Sequence, residues 1–185
     1  MIKKQMYYVP TSLLSKGSTN AKTKKNELES FILYLAPEKQ NSKGVNLCPK
    51  ASKGCAAACL YTAGRGNFDS VKKARINKAD FFIHDKVIFL NKLAKELKKI
   101  GAKAIKQNKK IAVRLNGTSD LDFIALLKKY NNLDLLNGSE FKNVVFYDYT
   151  AILGKVKKYI GTNYAVTLSR KEDNERDILT ALEMG

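Results

Sequence analysis

From residue 109 onward the chain repeats one unit: a short apolar run, a polar turn and a helical stretch. KIAVRL (110–115) is followed by NGTSD and a helical segment at 121–130. NVVFY (143–147) is followed by DYT and a helix at 151–159, and YAVTL (164–168) by SRKEDN and a helix at 175–184. Strands that alternate with helices of this length imply right-handed βαβ units and a parallel sheet. An earlier run, SFILYL (30–35), adds a core strand that Ala36-Pro37 ends. These strands are apolar throughout, the pattern of strands covered on both faces. Four or five such units fall short of an eight-fold barrel. The expected fold is therefore α/β, either a partial (β/α) barrel or an open, mostly parallel sheet.

The rest of the chain fits a single domain over 1–185. Its expected parts are a basic N-terminal arm or loop (1–30), a strand plus a cysteine-rich metal loop (31–66), and a helix with βα units (67–185). Residues 67–108 carry apolar positions at helical spacing, with Asn67 or Asp69 as a cap and a break near His84-Asp85. Met6–Val9 reads as a short strand before Pro10. Residues 16–26 read as a loop, either a disordered arm or a phosphate-binding loop. His84, the single histidine, carries little motif information.

Charge sets the expected partner. Against 17 acidic residues stand 34 basic ones, a net charge of +17. Such an excess attracts polyanions, nucleic acid (DNA or RNA) first, with strong salt dependence. Lys50, Lys53, Arg65, Lys72, Lys73 and Arg75 are the candidate contacts, although a solvated helix face also accounts for those at 72–75. No apolar run reaches the length of a membrane span, and the N-terminus has no signal-peptide pattern, so a cytoplasmic protein without a membrane partner is expected.

The cysteines carry the chemistry. Cys48, Cys55 and Cys59 fall within CPKASKGCAAAC, directly beyond the first core strand. Clustered thiols in a reducing compartment bind a metal more often than they form disulfides. Thiolates select iron–sulfur clusters and zinc. A structural zinc site wants four ligands, usually as two close pairs, and this run has three. A [4Fe-4S] cluster normally takes four cysteines; with three, one iron is open to a non-cysteine ligand or a small molecule. Three inert thiols are the remaining alternative. The spacing C-x6-C-x3-C departs from the C-x3-C-x2-C run of radical enzymes.

In parallel α/β folds ligands bind at the carboxyl ends of the strands. Those ends are polar here. The strand at 110–115 delivers Arg114, Asn116, Thr118, Ser119 and Asp120. The strand at 143–147 delivers Asp148, Tyr149 and Thr150, and the last delivers Thr167, Ser169 and Arg170. Asp120 and Asp148 are the candidate acid/base groups or a fourth cluster ligand. Helix capping is the plainer account of Thr118, Ser119, Asp120, Asp148 and Thr150. No HNH, GIY-YIG or paired-carboxylate motif assigns a nuclease activity.

NAKT, LYLAP, NLCPKASKGCAAACLYTAGRG, VRLNGTSD, FYDYT and AVTLSR together resemble a family of small bacteriophage proteins, the gene product eighty-eight family, over residues 22–170. The family is similar to a reduced form of the radical-type iron–sulfur barrels. The resemblance implies a [4Fe-4S] cluster at Cys48, Cys55 and Cys59, and a substrate rim at Arg114, Asn116, Ser119, Asp120, Asp148, Thr167 and Ser169. It also implies a protein of the host cytoplasm, and relatives that continue by at least one strand. The functional expectation is an iron–sulfur protein that binds nucleic acid. The alternatives are a radical S-adenosylmethionine-like or other cluster-dependent enzyme, with a small-molecule ligand at the open iron, and a small zinc-binding interaction module.

Overall fold

The computed structural model describes residues 7–17, 28–59, 61 and 63–184. Among these residues five strands form one sheet: β1 (Leu14–Lys16), β2 (Glu29–Leu33), β3 (Ile111–Arg114), β4 (Val144–Thr150) and β5 (Tyr164–Leu168). They lie in chain order; β1 runs antiparallel to β2, and every later pair is parallel. Among the described residues six α-helices accompany them: α1 (Lys53–Ala57), α2 (Asp69–His84), α3 (Lys86–Gln107), α4 (Phe123–Asn131), α5 (Leu153–Tyr159) and α6 (Glu175–Glu183). The α/β class and the mostly parallel sheet are those expected from the repeat. The sheet is open, with β1 and β5 at its edges.

The linking helices pack on one face. Right-handed crossovers taken repeatedly in one direction put each helix on the same side. Leu33, Val113, Phe146 and Tyr164 point there and join Phe89, Leu93, Phe123 and Tyr159 in one core. The other face carries Arg114, Val145, Tyr147, Tyr149 and Thr167, none of which belongs to that core. Accordingly β4 and β5 alternate between buried and more exposed residues. The expectation of strands covered on both faces is therefore corrected for β4 and β5, whereas on β2 and β3 that same face buries Ile32 and Ala112. Sequential strand order with crossovers of one hand supplies a single helical layer, and only a reversal of strand order would supply the second.

The long helical region breaks where expected. Asp85 leaves helical geometry (φ −133°, ψ 58°), and α3 starts at the next residue. Across this bend Phe82 meets Phe89 and Phe123 edge-on, with ring centroids 5.3 and 5.7 Å apart. Asn108 ends α3 with φ 47°, a left-handed position that asparagine tolerates.

The N-terminal segment departs from the reading of its sequence. Tyr7–Val9 is not a strand, and Met6 lies outside the described residues. The Asn77 side chain takes both backbone groups of Tyr8, accepting from its N–H at 2.8 Å and donating to its C=O at 2.9 Å. An amide on α2 thus replaces a partner strand. The strand that does form, β1, lies further on, where Glu96 of α3 accepts from the N–H groups of Leu13 and Leu14. Of the loop expected at 16–26, residues 18–26 lie outside the described residues.

Gly101 lets α3 approach the turn at Ser139–Phe141. A Cβ there would collide with the backbone carbonyl of Glu140, which cannot swing away like a side chain. Overpacking of this kind costs about 1–3 kcal/mol. It outweighs the ~1 kcal/mol that alanine gains over glycine in helix propensity. Gly101→Ala is expected to lower the thermal midpoint; an unchanged or raised midpoint would refute the close approach.

Candidate functional site: a cysteine-lined cavity

A cavity of about 990 Å³ opens at the carboxyl ends of β3, β4 and β5, and all three cysteines line it. Backbone ties hold the cysteine loop over the sheet. The Asp120 N–H donates to the Leu47 carbonyl at 2.9 Å, and the Gly117 N–H to the Leu33 carbonyl at 2.8 Å. The Thr118 hydroxyl donates to the Leu35 carbonyl at 2.5 Å. On the far side, Glu172 accepts from the Ser52 hydroxyl at 2.8 Å and from the Gly54 N–H at 2.7 Å. Lys171 donates to the Lys50 carbonyl at 2.9 Å. Ser52 in turn caps α1 by accepting from the Cys55 N–H at 3.1 Å. The loop therefore contains a short helix, pinned between the end of β3 and the segment after β5.

The thiols form one electrostatic group. None of them forms a disulfide. Burial pushes the Cys48 thiol up to about 11, and the neighbouring Cys59, Asp120 and Cys55 push it the same way. Cys55 is raised by burial first and then by Cys59, against the pull of Lys171. Cys48 points at the Thr118 carbonyl, 3.7 Å away, and the Cys59 sulfur accepts from the Tyr61 N–H at 3.5 Å. Three thiolates held this close repel one another, and a cationic centre among them would reverse that penalty. Among the described residues, no three Cys, His, Asp or Glu side chains converge on one point as a single metal ion would need. His84 stands apart, 3.0 Å from the Ser42 hydroxyl and outside the cavity wall.

The rim candidates divide. Arg114, Ser119, Asp120 and Ser169 line the cavity; Asn116, Asp148 and Thr167 do not. Asp148 faces the helices, where it accepts from the Asn116 side chain and the Tyr164 hydroxyl, each at 2.8 Å. Burial pushes its carboxyl up, against Lys155, Asn116, Tyr164 and Arg114. Asp120 accepts from Thr150 at 2.8 Å and from the Ala151 N–H at 2.8 Å, and pairs with Lys155 at 3.3 Å. Both carboxylates thus join strand ends to one another. The helix-capping account also needs amending: Asp122 caps α4 by accepting from the Ala125 N–H at 3.0 Å.

Comparison with known proteins places this arrangement in a family. Residues 12–184 match the family model described as Gene product 88. The chain belongs to the gene product 88 family. No curated protein and no solved structure matches it.

In this gene product 88 protein the basic candidates also separate. Lys50 and Lys53 are exposed on the cysteine loop, Arg65 is exposed just beyond it, and Lys73 is exposed on α2, where Lys72 is half-buried. Arg75 turns inward. Its guanidinium lies 4.8 Å from the Tyr34 ring centroid and 5.5 Å from that of Tyr61, and donates to the Tyr61 carbonyl at 3.2 Å. It braces the end of the cysteine loop against the sheet. The residue that sequence reasoning missed is Glu172. Its partner Gly54 is 118 positions away, and a glutamate in the run RKED carries no signal of that pairing. Among the described residues no helix is long and apolar enough to cross a membrane.

Two expectations follow from these contacts. Lys155→Ala leaves the Asp120 carboxylate uncompensated, with the side chains of this pair only 4% and 10% exposed. Breaking such a pair costs about 3–5 kcal/mol; a loss below ~1 kcal/mol in urea unfolding would mean that the pair is not buried in solution. The second concerns acid. The Glu172 backbone N–H, the Ser52 hydroxyl and the Gly54 N–H hold the Glu172 carboxyl below its usual range. A depressed carboxylate stabilises above its unfolded value and loses that contribution as pH falls through the folded one. The Gly54 amide resonance should therefore titrate with a midpoint below that of an ordinary glutamate and stop doing so in Glu172→Gln. A midpoint at or above that value would contradict the tie.

Proposed function

We propose that this protein holds a [4Fe-4S] cluster on Cys48, Cys55 and Cys59, leaves one iron open toward the cavity, and binds nucleic acid through the basic surface around the cysteine loop. The observation that carries the reading is that all three cysteines line one cavity together with polar groups from three strand ends. The donor set fits the group. Zinc draws its sulfurs to about 2.3 Å from a single point. A cubane instead takes each cysteine on a separate iron, which does not require the sulfurs to meet at one point. Ala51 and Ala58 line the same wall and leave room beside the sulfurs.

Such a cluster supplies an iron able to bind an oxygen or nitrogen donor of a small molecule. The protein's own residues do the rest. Glu172 and Lys171 hold the loop in place, Arg75 braces the segment after Cys59, and Arg114 and Arg170 set a cationic wall on the same cavity. Exposed Lys50, Lys53 and Arg65 extend that charge to the outside of the loop. With a net charge of +17, contact with a polyanion is favoured.

Anaerobic purification followed by metal and sulfide analysis tests the cluster. About four irons and four acid-labile sulfides per chain are expected, with a brown absorbance lost in Cys48→Ala. One zinc without sulfide would overturn it. For the second part, log affinity for a nucleic acid should fall linearly with log salt by about 0.7–0.9 per phosphate neutralised. Affinity that is flat across salt would count against it.

A further inference from the structure

Arg114 stands out on the wall of the cavity that the thiols also line. Its Nε is already committed: it donates to the Asn116 carbonyl at 3.0 Å and lies 3.5 Å from Asp148. These contacts fix the guanidinium plane over the Tyr149 ring, 4.9 Å from its centroid. The terminal nitrogens of Arg114 make no hydrogen bond to any described residue, yet the side chain lines the cavity. A guanidinium held this way offers a preorganised fork to a phosphate or carboxylate.

Tyr149 supplies the second element. It is 49% exposed, lines the cavity, and stands on the sheet face that the helices leave uncovered. Arg114 lies over its ring, and about half of the side chain stays exposed to a planar partner. Arg170 lies on the same wall with its side chain 74% exposed, 3.5 Å from Glu175. Of the acidic groups on the wall, Glu175 offsets Arg170 only in an exposed pair, and the other two are engaged by the protein's own donors. Asp120 is bound by Thr150, Ala151 and Lys155, and Glu172 by Ser52 and Gly54.

We infer that the cavity binds a nucleoside phosphate unit, its base stacked on Tyr149 and its phosphate held by Arg114 and Arg170. A stacking surface beside anion donors is the combination that such a unit needs, and the +17 charge favours its approach. The unit comes either from a free nucleotide or from an unpaired residue of a single strand. The inference rests on the nucleic-acid half of the reading above and is independent of the cluster.

The test measures binding of AMP, adenosine, inorganic phosphate and a short single-stranded oligonucleotide to the full-length protein, with iron and sulfide determined on the same sample. AMP should bind more tightly than adenosine or phosphate alone. Tyr149→Ala should weaken AMP binding by about fivefold or more, the scale of one base–aromatic stack, and Tyr149→Phe should retain it. Arg114→Lys should weaken AMP but not adenosine. Tyr149 is half-exposed, so its variants keep the inference testable if Arg114→Lys fails to fold. Oligonucleotide binding that is weakened by Tyr149→Ala and displaced by AMP identifies a strand residue as the source; AMP binding alone identifies the free nucleotide. AMP that does not bind, or binds equally to Tyr149→Ala, overturns the inference. Salt-sensitive oligonucleotide binding could persist in that case, and surface charge would then be its cause. The iron and sulfide values report on the cluster separately.

Discussion

Two buried carboxylates tie the carboxyl ends of the sheet together. Asp148 receives Asn116 from the end of β3 and Tyr164 from the start of β5; Asp120 receives Thr150, Ala151 and Lys155. A buried carboxylate without such donors would cost far more than it returned. With them, it makes the positions of three strand ends depend on one another. The cysteine loop hangs from this frame, since the amide of Asp120 itself donates to Leu47 one residue before Cys48. Both aspartates, the acid/base candidates of the sequence, make these structural contacts. Their oxygens are occupied by groups of the protein, and Asp148 does not reach the cavity.

What remains chemically available in the cavity is divided by charge. One side carries the thiols, whose mutual influence and burial oppose ionisation. The other carries Arg114 and Arg170. A cationic centre bound at the first side and an anion bound at the second would each relieve a local imbalance, and neither needs the other to be present. The bracing follows the same division. Lys171, Glu172 and Arg75 grip the cysteine loop from outside, while Asn116 and Asp148 fix Arg114 from beneath.

The single helical layer explains why this wall exists. Had helices covered both faces, Tyr147, Tyr149 and Arg114 would need apolar neighbours and internal partners. On the uncovered face, they form a polar aromatic surface that leads into the cavity. Burial still pushes the Tyr147 hydroxyl up, against the pull of Arg114.

The sequence by itself determined the elements and their order. Periods of two and of 3.6 residues are local properties, and so β3, β5, α5 and the break at Asp85 stand close to where the pattern puts them. It also determined that the cysteines follow the first core strand, and that strand ends would gather polar groups. Alternation along Val144, Phe146 and Asp148 already carried the inward direction of Asp148. It was obscured because Asp-Tyr-Thr reads as a turn, whereas pairing with β5 extends β4 through Thr150. Only the tertiary structure decided the rest. Glu172 meets Gly54 across 118 residues, Arg75 turns from the polar side of α2 to stack between Tyr34 and Tyr61, and Asn77 takes the backbone of Tyr8 away from a strand. Each of these is one polar group satisfying another far along the chain. Such pairings depend on where the fold brings donors and acceptors together, and no local period encodes them.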